Sequence, residues 1–380
     1  MSIKLKRPMD YGVVSAILAH TDPNERIRWS LQCPALARIE RLVPFKCDDI
    51  HFDEVAKSTK INGVTYELGL LLKCADMASM PADTRFHMEI NGFAFDIDEK
   101  GRRDFTKEKE LGPGDVMLED WEESQVRDEP VEEFETFIQL RIEDKAVEIL
   151  RYNKTMIEAN RYLNTRLFGN RRHPIEVKSL TFGERVTRLP EGVKFQIEEL
   201  DLGFNNMKYF ANVERILTSN SFPLDYLKIY HVKADSGEHN HPVVRSARTI
   251  SVFNIETNGL LRLFKSLRNK TIFNECALPI DEHVDLLEDW RTNPRSIGDS
   301  ITFERLEEET VEEIFEVIML NYEYRENEDG DMFISLNPFM DLKLTAADDR
   351  GDAAMEMIEA NIVEEYSFFK MEVVPAVRNL

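Results

Sequence analysis

The chain of 380 residues is 42% hydrophobic, enough to bury a core, and carries a formal net charge of −23. That charge argues against nucleic acid and anionic membrane as partners, because either would add repulsion; it favours a basic partner or simple solubility. The length leaves room for a small N-terminal module and one or two larger domains. Cys33, Cys47, Cys74 and Cys276 are scattered with no CxxC pair, which points away from a zinc ribbon or a disulfide framework and toward a reduced, cytoplasmic or nuclear setting. No apolar run approaches the ~20 residues of a membrane span. Lys4, Lys6 and Arg7 ahead of the apolar run 12–19 imitate a secretory leader, but Asp10 interrupts the basic region and the run is striped rather than continuous.

In chain order, residues 7–44 come first and hold three short amphipathic segments. Val13, Val14, Ile17 and Leu18 share one helical stripe. Thr21-Asp22-Pro23 interrupts it, with Asp22 suited to cap a new helix and Pro23 to its first turn. Ile27, Leu31 and Leu36, then Ile39, Leu42 and Val43, supply further apolar surface. So much apolar surface in so few residues predicts burial against a partner or a neighbouring domain. Cys33 falls on this apolar side and is expected to be buried rather than nucleophilic.

Pro8, Ile17-Leu18, Thr21-Asp22-Pro23, the segment Arg26-Ile27-Arg28-Trp29-Ser30-Leu31 and Cys33-Pro34-Ala35-Leu36 resemble an F-box, with Arg7 and Thr21 standing where that motif usually has leucine. The wording Arg-Ile-x-x-Ser-Leu-x-Cys-Pro-x-Leu, followed by Leu42-Val43-Pro44-Phe45-Lys46, is similar to a large nematode family of F-box-like proteins with a C-terminal region of unknown function. The later run Leu287-Glu288-Asp289-Trp290 and Ile297-Gly298-Asp299-Ser300-Ile301-Thr302-Phe303 fits the same family. The resemblance implies a substrate receptor of a Skp–cullin–F-box ubiquitin ligase. Pro8, Val14, Ile17, Leu18, Pro23, Ile27, Leu31 and Leu36 would then supply the adaptor interface or the packing behind it. It also implies a protein target, basic or foreign to the cell.

Beyond the module, Asn62-Gly63 and Asn91-Gly92 sit between alternating flanks and predict two hairpins, hence a small antiparallel sheet over 46–98. Residues 99–130, with Gly112-Pro113-Gly114 and a dense acidic run, read as a linker or long loop and the domain boundary. The remaining domain is assigned to 131–380. Phe134, Ile138, Ile142, Ala146, Ile149, Leu150, Ile157, Tyr162 and Leu163 keep helical spacing up to Phe168, where Gly169-Asn170 offers a stop. Strand-like pieces then recur at 177–182, 197–202, 224–229, 247–252 and 297–303, with a degenerate unit near Thr271-Ile272-Phe273 and helical stretches at 207–218 and 260–267. The spacing of about 20 to 28 residues is that of leucine-rich repeats, although the asparagine of the usual turn is missing. An ordinary α/β domain is the other reading. In a solenoid, Glu198, Glu199 and Asp201 on one repeat and Asp225, Tyr226 and Lys228 on the next would face the concave, substrate-binding side. From 304 onward a helix carrying Val311, Ile314, Phe315 and Ile318 precedes three strands, a candidate end cap.

No phosphate loop or nucleophile elbow occurs. His239-Asn240-His241, with His231 nearby, is the strongest metal candidate and is better read as a surface loop, because a catalytic metal needs about three ligands. Asn153-Lys-Thr and Asn269-Lys-Thr match the glycosylation pattern, by coincidence in a cytosolic chain. The expectation is therefore a non-enzymatic chain without cofactor or metal, of class α/β (α+β overall): an N-terminal F-box-like helical module at 1–45, a small antiparallel sheet, and a leucine-rich-repeat-like α/β solenoid with a C-terminal cap. The alternative is an interaction module whose degenerate box no longer engages a ligase.

Overall fold

A computed structural model describes residues 11–53, 57–74, 82–90, 92–104, 106, 110–118, 133–143, 145–183, 185–203, 207–230, 237–253, 259–275, 278–348 and 367–376. The chain is mixed α/β and divides into two compact units, Met1–Ser221 and Phe222–Leu380. Among the described residues no helix is long and apolar enough to cross a membrane.

Unit 1 opens with three helices, α1 (Tyr11–Ala19), α2 (Pro23–Gln32) and α3 (Pro34–Glu40). Asp22 caps α2 by accepting from the Asn24 and Glu25 amides at 2.8 and 3.2 Å, and Pro23 fills the first turn. The chain then enters β1 (Phe45–Asp53), β2 (Ser58–Ile61) and β3 (Val64–Cys74). Ile61 pairs with Val64 around Asn62 (φ 45°) and Gly63 (φ 82°), the two left-handed positions that an Asn-Gly hairpin turn needs. The second expected hairpin is not formed: α4 (Ala82–Ile90) takes its place, and Phe93 only bridges back to Leu70. An Asn-Gly pair can end a helix as well as turn a hairpin. Two small pairings follow, β4 (Asp96–Ile97) with β5 (Arg103–Asp104), and β6 (Val116–Met117) with a later strand.

Strands β7 (Phe134–Ile142) and β8 (Lys145–Arg151) occupy the start of the expected helix, and α5 begins only at Met156 and ends at Phe168. Phe134, Ile138 and Ile142 are spaced by four, which serves one face of a strand as well as one face of a helix. Pairing of β7 with β3 along nine registered residues decides in favour of the strand. Unit 1 closes with β9 (Ile175–Phe182), β10 (Val186–Thr187), the partner of β6, then β11 (Phe195–Asp201) and α6 (Phe210–Glu214).

The core of this unit is built on a parallel trio. Phe45, Ile175 and Phe195 stand in register across β1, β9 and β11, as do Ile50, Leu180 and Leu200, and all six are buried. Phe52 stacks on Phe182 at 5.5 Å, with Phe168 of α5 edge-on to Phe52 and Phe195 at 6.0 Å each. The sheet expected over 46–98 is therefore antiparallel only in part, because β1 pairs parallel with a strand about 130 residues downstream. Of the stretch 99–130, residues 105, 107–109 and 119–130 lie outside the described residues, and the described part is anchored at Asp115. Asp115, its side chain fully buried, accepts from Arg161 at 2.6 Å, from Arg188 at 2.9 Å and from the Gly112 amide at 2.8 Å.

In unit 2, β12 (Tyr226–Tyr230), α7 (Pro242–Ser246), β13 (Thr249–Phe253), α8 (Leu260–Ser266), β14 (Thr271–Asn274), α9 (Ile280–Thr292) and β15 (Ser300–Leu306) alternate, and the four strands run parallel. Leu227, Ile250, Ile272 and Ile301 share one register position and are all buried. Asn269, 2% exposed, donates to the Val244 and Ala247 carbonyls at 2.7 Å each and so ties one inter-strand turn to the one before it. Its burial also removes the side chain of the second sequon from the surface. After α10 (Glu308–Asn321) come β16 (Arg325–Glu326), β17 (Met332–Asn337), β18 (Met340–Asp348) and β19 (Ser367–Pro375), an antiparallel set that joins the parallel array through β15 and β19.

His283 of α9 sits in this core, with Phe303 at 4.5 Å and Phe369 at 5.9 Å. Its Nδ1 faces the Pro279 carbonyl at 3.0 Å, and its buried Nε2 has no partner among the described residues. Burial pushes the imidazole down from 6.5 to about 4. The unfolded chain then binds a proton that the folded chain refuses, so this contribution to stability is complete above pH 6.5 and is lost as the pH falls from there toward 4. Urea melts across that window should lose about 3 kcal/mol from this group, and His283→Phe should flatten the slope.

Candidate functional site

The N-terminal helices are fastened to unit 1 by one carboxylate. Glu40, at the end of α3, accepts on a single oxygen from Arg26 at 3.0 Å and from Arg171 at 2.7 Å, and all three side chains are no more than 6% exposed. Arg26 also donates to the carbonyls of Pro44 at 2.8 Å and Val43 at 3.3 Å, and Arg171 to that of Leu167 at 2.9 Å. Both guanidiniums lie over the Phe45 ring, Arg171 at 4.1 Å and Arg26 at 5.1 Å from its centroid. Burial presses both below the usual arginine range, and Glu40 opposes that pressure. A second tie runs through Asn24, which donates to the Ile61 carbonyl and accepts from the Tyr66 hydroxyl, each at 2.9 Å.

These ties sort the expected interface residues. Leu18, Pro23 and Ile27 are buried, whereas Val14, Leu31 and Leu36 are half-buried. Ile17, 44% exposed, shares the outer side of α1 with Val13, 49% exposed, four residues before it, and Tyr11 at the start of the helix is 52% exposed. Pro8 lies outside the described residues. Cys33 is exposed, contrary to expectation: it caps the junction of α2 and α3, and the turn there carries it off the apolar side.

The second group of expected residues falls in two places. Glu198, Glu199 and Asp201 lie on β11 in unit 1, where Lys178 reaches Glu199 at 3.7 Å and Asp201 accepts from the Gly203 amide at 2.7 Å. Asp225, Tyr226 and Lys228 lie at and just before β12 in unit 2. Lys228 pairs with Glu275 at 2.8 Å; burial works against its charge, but Glu275 holds the ammonium above its usual range.

Sequence reasoning missed Glu40 and Arg171. The first looks like one more acidic residue and the second lies 131 positions away, so only the Arg-rich run after Gly169-Asn170 offered a hint. Of the metal candidates, His231 lies outside the described residues, His239 meets Asn240 at 3.0 Å, and His241 caps α7. Among the described residues no group of three or more His, Cys, Asp or Glu could hold a metal. The Cys47 thiol is pushed up to about 12 by burial and by Asp49 and Asp48, the reverse of an activated nucleophile.

A family model described as a domain of unknown function, DUF3557, matches residues 155–306, from the cap of α5 to the end of β15. No curated protein matches the chain.

Glu40→Gln removes the charge but keeps the shape, leaving two buried guanidiniums without a counter-charge. It should cost about 3–5 kcal/mol in denaturant unfolding.

Proposed function

We infer that the chain is a non-catalytic substrate receptor: the helices α1–α3 dock a Skp-type adaptor, and through it a cullin, while the later region holds a protein target for ubiquitination. The observation that carries this reading is the outer side of α1. Of its nine residues Leu18 alone is buried, and Tyr11, Val13 and Ile17 stand in the open. Val14 and Ser15 are half-buried beside Leu18, and the apolar side carrying Val13 and Ile17 is left to a partner. The resemblance of residues 8–36 to an F-box supplies the kind of partner.

Two arrays of parallel strands support the target-binding half, read as a leucine-rich-repeat-like solenoid with the strands after α10 as its cap. The spacing of β12, β13 and β14, beginning at 226, 249 and 271, is that of short repeats. Glu198, Glu199, Asp201, Asp225, Tyr226 and Lys228 are the candidate contacts to a basic or foreign protein. In this scheme the receptor raises the effective concentration of a target lysine near a charged conjugating enzyme, and no residue of the chain performs covalent chemistry. The tie of α2 and α3 to Arg171, Ile61 and Tyr66 favours a second reading, a helical module that has become a fixed part of unit 1 and engages no ligase.

One experiment separates the two. Val13→Asp with Ile17→Asp changes only the open side of α1 and should leave the melting temperature within a degree or two. It should weaken co-purification with a Skp-type adaptor by tenfold or more, since two apolar contacts of order 1.5 kcal/mol or more are lost. Leu18→Ala should instead destabilise the fold, by about 2–5 kcal/mol. Undiminished recovery of adaptor by the double variant, or no recovery by the wild-type chain, would favour the second reading.

A further inference from the structure

In a chain of net charge −23, one cavity in unit 1 is basic. It has a volume of about 230 Å³ and lies between α2–α3 and the C-terminal end of α5. Its charged lining is Arg38, Arg41, Arg166 and Arg171 against the single carboxylate of Glu40. That carboxylate is already shared by Arg26 and Arg171, so it cannot also neutralise the others. Arg38 and Arg166 make no side-chain hydrogen bond to described residues, and they stand exposed and half-buried at the cavity. The Nε of Arg171, buried in the cavity wall, has no hydrogen-bond partner among the described residues.

Backbone geometry holds the two walls together. The Arg172 amide donates to the Arg41 carbonyl at 3.0 Å, so Arg38 and Arg41 at the end of α3 and Arg166 and Arg171 at the end of α5 keep a fixed spacing. Glu40 accounts for Arg171 in that wall, and the three further guanidiniums gathered around the same space cost repulsion unless an anion answers them.

We propose that this cavity binds the phosphoryl group of a phosphate monoester. Planar, permanently charged guanidiniums suit a tetrahedral dianion, which can take several charge-assisted bonds at once. The volume lies below that of pockets for drug-sized ligands, so it fits a charged group and its first attached atoms rather than a whole molecule. A polyanion is disfavoured because the acidic remainder of the chain would repel it, whereas a single compact dianion feels mainly the local field. The site stands whether or not α1 docks an adaptor, since Arg38, Arg41 and Arg166 are not among the residues of that reading.

The test is titration calorimetry on the full chain at matched ionic strength. The probes are inorganic phosphate, free O-phosphoserine, a phosphoserine peptide and the same peptide unphosphorylated. Phosphate-bearing probes should bind and the unphosphorylated peptide should not. Binding of the peptide over the free amino acid would place the source on a protein, and equal binding would place it on a small molecule. Arg38→Gln with Arg166→Gln, which leaves the Glu40 network intact, should weaken binding at least tenfold without lowering the melting temperature. Heats no different from those of chloride, equal binding of both peptides, or unchanged affinity in the double variant would overturn the proposal.

Discussion

Unit 1 depends on one buried carboxylate oxygen that two arginines share over the face of Phe45. Arg26 comes from α2, Glu40 from α3, Arg171 from the segment after α5, and Phe45 opens the first strand of the parallel trio. Such an arrangement contributes less net stability than its short distances suggest, because three charges have been taken out of water. Its effect is on uniqueness. A helix pair that could slide on apolar contacts alone is held at one position, since any other would strand a charge. The same fixity places Arg38, Arg41 and Arg166 around one cavity.

Both units use one device, parallel strands whose apolar residues repeat at the same register positions. In unit 1 the first of these strands follows directly on the N-terminal helices and pairs in register with β9, which pairs in turn with β11. Side-chain stacks such as Leu227, Ile250, Ile272 and Ile301 are what a short apolar motif, recurring every twenty-odd residues, produces once its strands align.

Much of this was legible in the residues. Asp22-Pro23 announced the start of α2, Asn62-Gly63 the first hairpin, and the recurring apolar triplets the strands β9, β11, β12, β13 and β15, with the weak one, β14, at Thr271. Local cues act within a few residues, and these elements are decided locally. The failures are of the opposite kind. Phe134, Ile138 and Ile142 suit either period, and β3 decided between them from more than sixty residues away. Lys46 to Phe52 reads as the edge of a local hairpin until β9 is known to lie beside it. Of the candidate site, the apolar residues of α1 were visible, but which of them face outward was not. That depends on where α3 and the rest of unit 1 press, and so on Glu40 and Arg171, whose meeting no periodicity encodes.

The hairpin of β7 and β8 has a bearing on how copies of the protein behave together. β8 ends the sheet order of unit 1, and Val147, Ile149 and Leu150 are each more than half exposed there. Among the described residues no strand pairs with the outer edge of β8, and an edge strand of this kind is a template for joining sheet to sheet. Lys145, Glu148 and Arg151 interrupt its apolar residues, and the large negative charge of the whole chain keeps molecules apart. Colloidal stability then rests on long-range repulsion, which dissolved salt shortens from ~30 Å at 0.01 M to ~3 Å at 1 M. The protein is best kept dilute in weakly ionic buffer, and concentrated brine is the condition that invites its strand edges to meet.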